Sequence, residues 1–250
     1  MARKSKSLRK SANRFPGVLG WFWRLVMLLF LAFVLLQLWF FAHIWYWREH
    51  NPASTAFMRA YLSSLEGQFR AQVSPDSLID HQWVPYEQIS DHLKRAVVAS
   101  EDDRFMLHGG FDWEGIRHAM ERNRQRGEVV AGGSTITQQL AKNLFLSNDR
   151  SYWRKGQEAL IALMLEMVMD KRRILEIYLN VVEWGEGIYG IEAAAWHYYG
   201  QPAASLGPDQ SACLAAMLPQ PRFYQQNPGS LGLARRSAAI QSRMHRSQIP

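Results

Sequence analysis

The chain is 250 residues long, carries a formal charge of +7 at neutral pH and contains one cysteine. That length accommodates a membrane anchor and one well-packed domain, and is short for two catalytic domains. Seven of the 29 Lys and Arg residues lie in residues 1–24, where there is no acid. The other 22 are matched by 22 acidic residues, so the folded part is formally neutral and lacks the clustered cations that nucleic-acid binding requires. Cys213, in the run Ala212-Cys213-Leu214-Ala215-Ala216, excludes an internal disulfide and a Cys-based zinc site; it reads as a small buried hydrophobe.

Residues 1–24 form a basic tail, with Arg3, Lys4, Lys6, Arg9, Lys10, Arg14 and Arg24. Leu25 to Ile44 is apolar except for Gln37 and His43. At about 1.5 Å of rise per residue, it matches the roughly 30 Å hydrocarbon core of a bilayer. Trp21, Trp23, Trp39, Trp45, Tyr46 and Trp47 crowd its two ends, where indole and phenol rings favour the headgroup region. Cations placed before the span keep the N-terminus cytoplasmic and send the remainder across. Bulky Trp45-Tyr46-Trp47 replaces the small residues of a cleavage site, so 25–47 reads as an uncleaved anchor. Residues 48–84 read as a membrane-proximal connecting region. Phe57, Tyr61, Leu65 and Phe69 predict one amphipathic helix there, whose apolar face either lipid or the domain would cover.

From 85 to 250 the patterns are helical and strand-like alternation is scarce. Ser90 can cap a helix bearing Leu93, Ala96, Val97 and Ser100, and Asp112 one bearing Trp113, Ile116 and Met120. Ser134 or Thr135 opens a third with Ile136, Leu140 and Leu144 aligned. Tyr152 to Met169 and Lys171 to Val182 follow. Later helices run from about Gly190 to Tyr199, stopped by Gly200, and from Pro208 to Leu218, stopped by Pro219. The domain is all-α.

Three segments carry groups suited to chemistry, and each also has an ordinary structural explanation. Glu101, in Glu101-Asp102-Asp103-Arg104-Phe105-Met106-Leu107-His108-Gly109-Gly110, follows an apolar helix. It is either one member of a solvated acidic cluster or a carboxylate beside a cleft with a raised pKa, suited to proton transfer. His108 is a structural histidine or a site residue. Gly132-Gly133-Ser134-Thr135-Ile136-Thr137-Gln138-Gln139-Leu140-Ala141-Lys142-Asn143 is either a capped helix or an anion site with free backbone N–H groups. Its spacing fits neither a Walker A loop nor a nucleophile elbow. In Arg154-Lys155-Gly156-Gln157-Glu158-Ala159, Arg154 and Glu158 form an intrahelical pair, or Arg150, Arg154 and Lys155 face a phosphate-rich group with Glu158 as a second carboxylate.

Together these segments resemble the family 51 glycosyltransferases, the peptidoglycan glycosyltransferases. The first motif of that family, Glu-Asp-x-x-Phe-x-x-His-x-Gly, is met from Glu101 to Gly110; the second, Gly-Gly-Ser-Thr-Ile-Thr-Gln-Gln followed by Lys-Asn, from Gly132 to Asn143; the third, Arg-Lys-x-x-Glu-Ala, from Arg154 to Ala159. The fourth resembles Lys171 to Asn180 with Gly185 and Gly187, and the fifth Ala193 to Gly200, with Tyr198-Tyr199 where Tyr-Phe is frequent. All five occur in order between about Pro85 and Leu218, and no transpeptidase domain follows, as in the monofunctional members.

The resemblance implies an all-α, lysozyme-like domain after one transmembrane helix, in the bacterial cytoplasmic (inner) membrane with the domain on the outer side. It implies polymerisation of lipid II into β-1,4-linked glycan, with inversion and release of undecaprenyl diphosphate. Glu101 matches the general base, and Glu158 the second carboxylate, with an orienting or metal-assisted role. Lys142 and Arg150 match contacts to the donor diphosphate. The motifs further imply substrate contacts from Asp102, Phe105, His108, Gly133, Ser134, Thr135, Gln138, Gln139, Asn143, Arg154 and Lys155. A divalent cation, Mg or Mn, beside the diphosphate fits this chemistry, although the sequence shows no dedicated ligand cluster. Partners implied are lipid II, the growing strand, the membrane and other cell-wall synthesis or division proteins. A lytic transglycosylase or hydrolase of finished glycan is the enzymatic rival, and a non-catalytic membrane scaffold the other. Whether Arg222-Phe223-Tyr224 and Arg235-Arg236 hold substrate or close the fold is open.

Overall fold

The computed structural model describes residues 17–65, 78–127, 132–147, 149 and 151–250. The basic tail up to residue 16, Phe69 and Arg150 thus lie outside the described residues. Helix α1, Val18–Trp47, is long and apolar enough from Leu19 to Trp47 to cross a membrane. Its large side chains, among them Trp21, Phe22, Leu28 and Phe30, are exposed, which is the reverse of a soluble core helix.

The compact unit comprises His43–Pro250. Helix α2, Ala56–Leu65, precedes a two-residue strand β1, Asp80–His81. Then come α3, Asp91–Glu101; α4, Trp113–Arg126; α5, Ile136–Phe145; α6, Tyr152–Val168; and α7, Lys171–Val181. Strands β2, Glu183–Gly185, and β3, Ile188–Tyr189, form a hairpin, followed by α8, Ile191–Tyr199; α9, Pro208–Met217; α10, Pro221–Gln226; and α11, Leu231–Gln241. The unit is predominantly helical, as expected. The small sheet, in the order β1-β3-β2, is an addition that the sequence pattern did not predict. Its pairings, Asp80 with Ile188 and Glu183 with Tyr189, tie the chain before α3 to the end of α7.

The helix boundaries follow the caps. Asp112 accepts from Gly115 N, Ser151 from Arg154 N and Asp170 from Arg173 N, each satisfying a first-turn donor. Thr135 and Gln138 form a complete capping box at the start of α5. Ser90 precedes α3 but does not cap it through its side chain; its hydroxyl donates to Leu206 O at 2.7 Å and so staples α3 to the loop before α9. Helix α5 packs between α6 and α7, and α3 packs on α9 and α11. Leu93, Val97, Ile136, Leu140, Leu144, Ile161 and Leu165 are fully buried in these contacts. Truncating one such side chain to Ala costs about 2–5 kcal/mol.

Side chains from α7 anchor what surrounds it. Asn180 accepts from Val84 N at 2.8 Å and donates to Val84 O at 2.9 Å. Gly190 passes so close that a Cβ there would lie 2.5 Å from Asn180 O, and its φ of 81° independently calls for glycine. The apolar face of α2 is covered by the domain: Phe57 lies under Lys142 and Tyr61 under Arg222. Cys213 is half-buried on α9, not fully enclosed, and its sulfur borders Tyr199.

Candidate active site

Glu101 is the last residue of α3, with Asp102 as C-cap, so its carboxylate leaves the helix where the apolar face ends. It is half-buried. Its Oε2 accepts from Gln139 Nε2 at 2.9 Å, and Oε1 faces Ser100 Oγ at 3.0 Å. Burial pushes its pKa above the ordinary carboxylate value, with Asp102 adding to the rise; the Gln139 and Ser100 bonds and the Arg236 charge pull in the other direction. Two hollows meet at this residue. One, of about 470 Å³, is lined by Glu101, Ser134, Gln138, Gln139, Lys142, Asn143, Arg154, Lys155 and Glu158. The other, of about 420 Å³, is lined by Glu101, Asp102, Gly133, Thr135, Arg104, Arg122, Arg236 and Arg243 among others.

The first hollow has a cationic wall. Helix α5 contributes Lys142, whose ammonium lies 5.2 Å from the Phe57 ring centre. Helix α6 contributes Arg154 and Lys155, both bonded to buried Glu158: Arg154 Nη1 at 2.8 Å from Oε2, and Lys155 on Oε1. The intrahelical pair that the spacing suggested does form. It also faces the cleft, so its two explanations are compatible. Lys155 additionally donates to Ser134 Oγ at 3.3 Å. With Glu158 the only acid of this trio, one net positive charge is left for a ligand.

The expected anion site at the start of α5 is filled from within. Ile136 N donates to Asp102 Oδ2 at 3.0 Å, and Gln138 N to Thr135 Oγ1 at 3.2 Å. Asp102 Oδ1 lies 2.8 Å from His108 Nε2, so this carboxylate is the anion that the helix dipole attracts. Thr135 Oγ1 donates to Gly110 O at 2.7 Å, closing the first motif onto the second. Gly133 allows that approach, since a Cβ there would sit 3.2 Å from Ile116 Cα. Phe105 is fully buried beneath Lys171, and neither it nor His108 lines either hollow. In the structure Phe105 is held by packing and His108 by the Asp102 bond.

Several cleft residues carry no motif signal in the sequence. Phe57 reaches the first hollow from α2, and Val182, Glu183, Leu218, Pro219 and Pro221 form its far end. Glu183 accepts from Arg222 Nε at 2.5 Å, which makes Arg222 a supporting residue of the wall, while Tyr224 is buried. Of the Arg235-Arg236 pair, Arg236 lines the second hollow. A basic residue near the C-terminus and a Glu before a turn are too common to stand out.

A divalent cation finds no ready protein cage here. Among the described residues no three His, Cys, Asp or Glu side chains converge, and both Glu158 oxygens are already engaged by cations.

The sequence profile of the Transglycosylase family matches residues 67–245. The chain belongs to that family. It is 55% identical over 229 residues to a biosynthetic peptidoglycan transglycosylase of Methylobacillus flagellatus, covering 92% of this chain and 98% of the relative. A protein of the same description from Janthinobacterium sp. strain Marseille is 56% identical over 92% of this chain and 96% of its own length. One from Laribacter hongkongensis is 54% identical over 93% of this chain and all of the relative. The similarity thus runs through both hollows.

Proposed function

We propose that this transglycosylase joins lipid II units into β-1,4-linked peptidoglycan strands, with Glu101 as the general base. The observation that carries the reading is a single carboxylate, raised in pKa by burial, shared by two hollows of which one has a wall of Lys142, Arg154 and Lys155. A glycosyl transfer from a diphosphate needs a base on one side of the reacting carbon and a cationic wall on the other.

In this mechanism Glu101 takes the proton of the acceptor 4-hydroxyl as that oxygen attacks C1 of the α-linked donor. The C1–O bond to phosphate breaks, and undecaprenyl diphosphate leaves with the electron pair. Attack from the face opposite the leaving group inverts the centre and yields the β linkage. Lys142, Arg154 and Lys155 meet the charge that develops on the diphosphate, and Glu158 holds the latter two in place. Arg150, matched by motif to the same diphosphate, would add to them. No step requires a metal-bound group. A hydrolase of finished glycan has no charged leaving group to use such a wall, and a scaffold would need no base.

The tail and anchor give the reaction its place. Cations before α1 favour a cytoplasmic N-terminus, with the domain on the outer face of the bacterial inner membrane, where a lipid-borne donor is available. The division into tail 1–24, anchor 25–47, connecting region 48–84 and catalytic domain 85–250 follows from this reading.

The test is polymerisation of purified lipid II by the detergent-solubilised full chain. Long glycan is expected without a nucleotide sugar, and Glu101→Gln should abolish it. A Gln variant polymerising at the normal rate would remove Glu101 as base; solubilisation of finished sacculi in place of synthesis would favour the hydrolase.

A further inference from the structure

We propose that Tyr178 is a positioning residue for Glu101, acting through the side-chain amide of Gln139. The proposal rests on the reading of Glu101 as the base, and extends it to a residue outside both hollows. Tyr178 lies on α7, fully buried, and its hydroxyl donates to Gln139 Oε1 at 2.9 Å. The other end of the same amide, Nε2, donates to Glu101 Oε2 at 2.9 Å.

The chain of bonds has one consistent direction. An ionised carboxylate only accepts, so it must face the NH2 end of the amide. The amide carbonyl then needs a donor, and Tyr178 supplies it. Burial lifts the phenol far above its ordinary pKa, so it keeps the proton it donates. The second donor near Glu101 is shared: Ser100 Oγ has one proton, and Ala215 O lies 3.3 Å from it as well as Glu101 Oε1 at 3.0 Å. Gln139 is therefore the fixed donor to the base, and Tyr178 fixes Gln139.

Without the hydroxyl, the amide can turn end for end and present a carbonyl lone pair to the carboxylate. Glu101 would then keep its proton to higher pH. A tyrosine that merely fills space predicts no such change, because phenylalanine fills the same space.

The experiment titrates Glu101 in the detergent-solubilised full chain by difference infrared spectroscopy, the band being identified by its loss in Glu101→Gln. Tyr178→Phe should move that titration upward by about half to one pH unit, the effect of one hydrogen bond. The acid limb of lipid II polymerisation should move upward by the same interval. In a Gln139→Leu background, Tyr178→Phe should shift the titration no further, since its path is already cut. An unmoved titration in Tyr178→Phe, or an undiminished shift in the double variant, overturns the proposal. Polymerisation by Glu101→Gln would instead remove the base reading, and leaves the titration result standing on its own.

Discussion

Arg154 and Glu158 form a part-buried ion pair inside one helix, Nη1 to Oε2 at 2.8 Å, and the pair lies on the wall of the cleft. Lys155 takes the other oxygen, so one carboxylate fixes two cations. Such an arrangement pre-orients charge before substrate arrives. Glu158→Gln keeps the shape and removes the charge that holds both. We expect kcat/KM for lipid II to fall by about 10- to 100-fold, mostly through KM, because the proposed role of the two cations is to meet the diphosphate both before and during transfer. Stability should fall by about 1–3 kcal/mol, below the full value for a buried pair because Lys155 is half-exposed. Steady-state kinetics and thermal unfolding of the variant check both; an unchanged KM would detach Glu158 from the cations' role.

Asp102 stands beside Glu101 in sequence and makes different bonds. Its carboxylate is spent on Ile136 N and His108, and so joins the end of α3 to the start of α5. Asp102→Ala leaves that N–H without its partner, at a cost of about 2–3 kcal/mol. For a domain of this size the melting temperature should drop by roughly 5–10 °C. The folded fraction, assayed at low temperature, should retain its KM for lipid II. A raised KM with an unchanged melting temperature would instead make Asp102 a substrate contact.

The helices that carry the site were legible because each has both an apolar period and a capping residue. Thr135 with Gln138, and Ser151 before Tyr152, are local signals that the structure meets locally. What was not legible depends on long-range pairing. Strands of two or three residues, such as Asp80–His81, have no period to read, and they form only because Gly187 and Gly190 let the hairpin close against them. Helices α10 and α11 were missed because a six-residue segment and an Arg-rich one give weak patterns. Tyr178 sits on the apolar face of α7 in the fourth motif, and nothing nearby announces a partner 39 residues away. The candidate base was visible only through its register with other motifs; its position between two hollows was not.

Arg173 clamps the end of α1 to α7. Its guanidinium donates to Trp47 O at 2.9 and 3.0 Å, to His50 O at 2.6 Å, to Asn51 Oδ1 at 2.9 Å and to Glu176 at 2.8 Å. Carbonyls at a helix end have no intrahelical donor, so the clamp satisfies groups that would otherwise need water. Arg173→Ala should destabilise the compact unit by about 2–3 kcal/mol. Arg173→Lys should recover less than half of that, because a point charge cannot span these acceptors as a planar fork does. Thermal unfolding of the two variants decides it, and full recovery by Lys would reduce the clamp to simple charge.

Glu101, the proposed base, carries a local cost to folding. Burial raises its folded pKa above the 4.5 of an unperturbed Glu, so the native state binds a proton more tightly than the unfolded chain. In the window between 4.5 and the raised value, stability therefore falls as pH rises, and above the window the desolvated carboxylate carries its full penalty. Glu101→Gln removes the charge while keeping the shape and an acceptor for Gln139. It should be inactive yet about 0.5–1 kcal/mol more stable than the natural chain at pH 7. That advantage should shrink as pH is lowered, and vanish near pH 4.5, where the natural side chain is protonated in the native state. The polymerisation rate should show the matching feature, an acid limb lying above the range of a free carboxylate. Melting curves of both proteins across this range test the sign directly: a gap that widens towards acid would mean that the cleft favours the carboxylate over the acid.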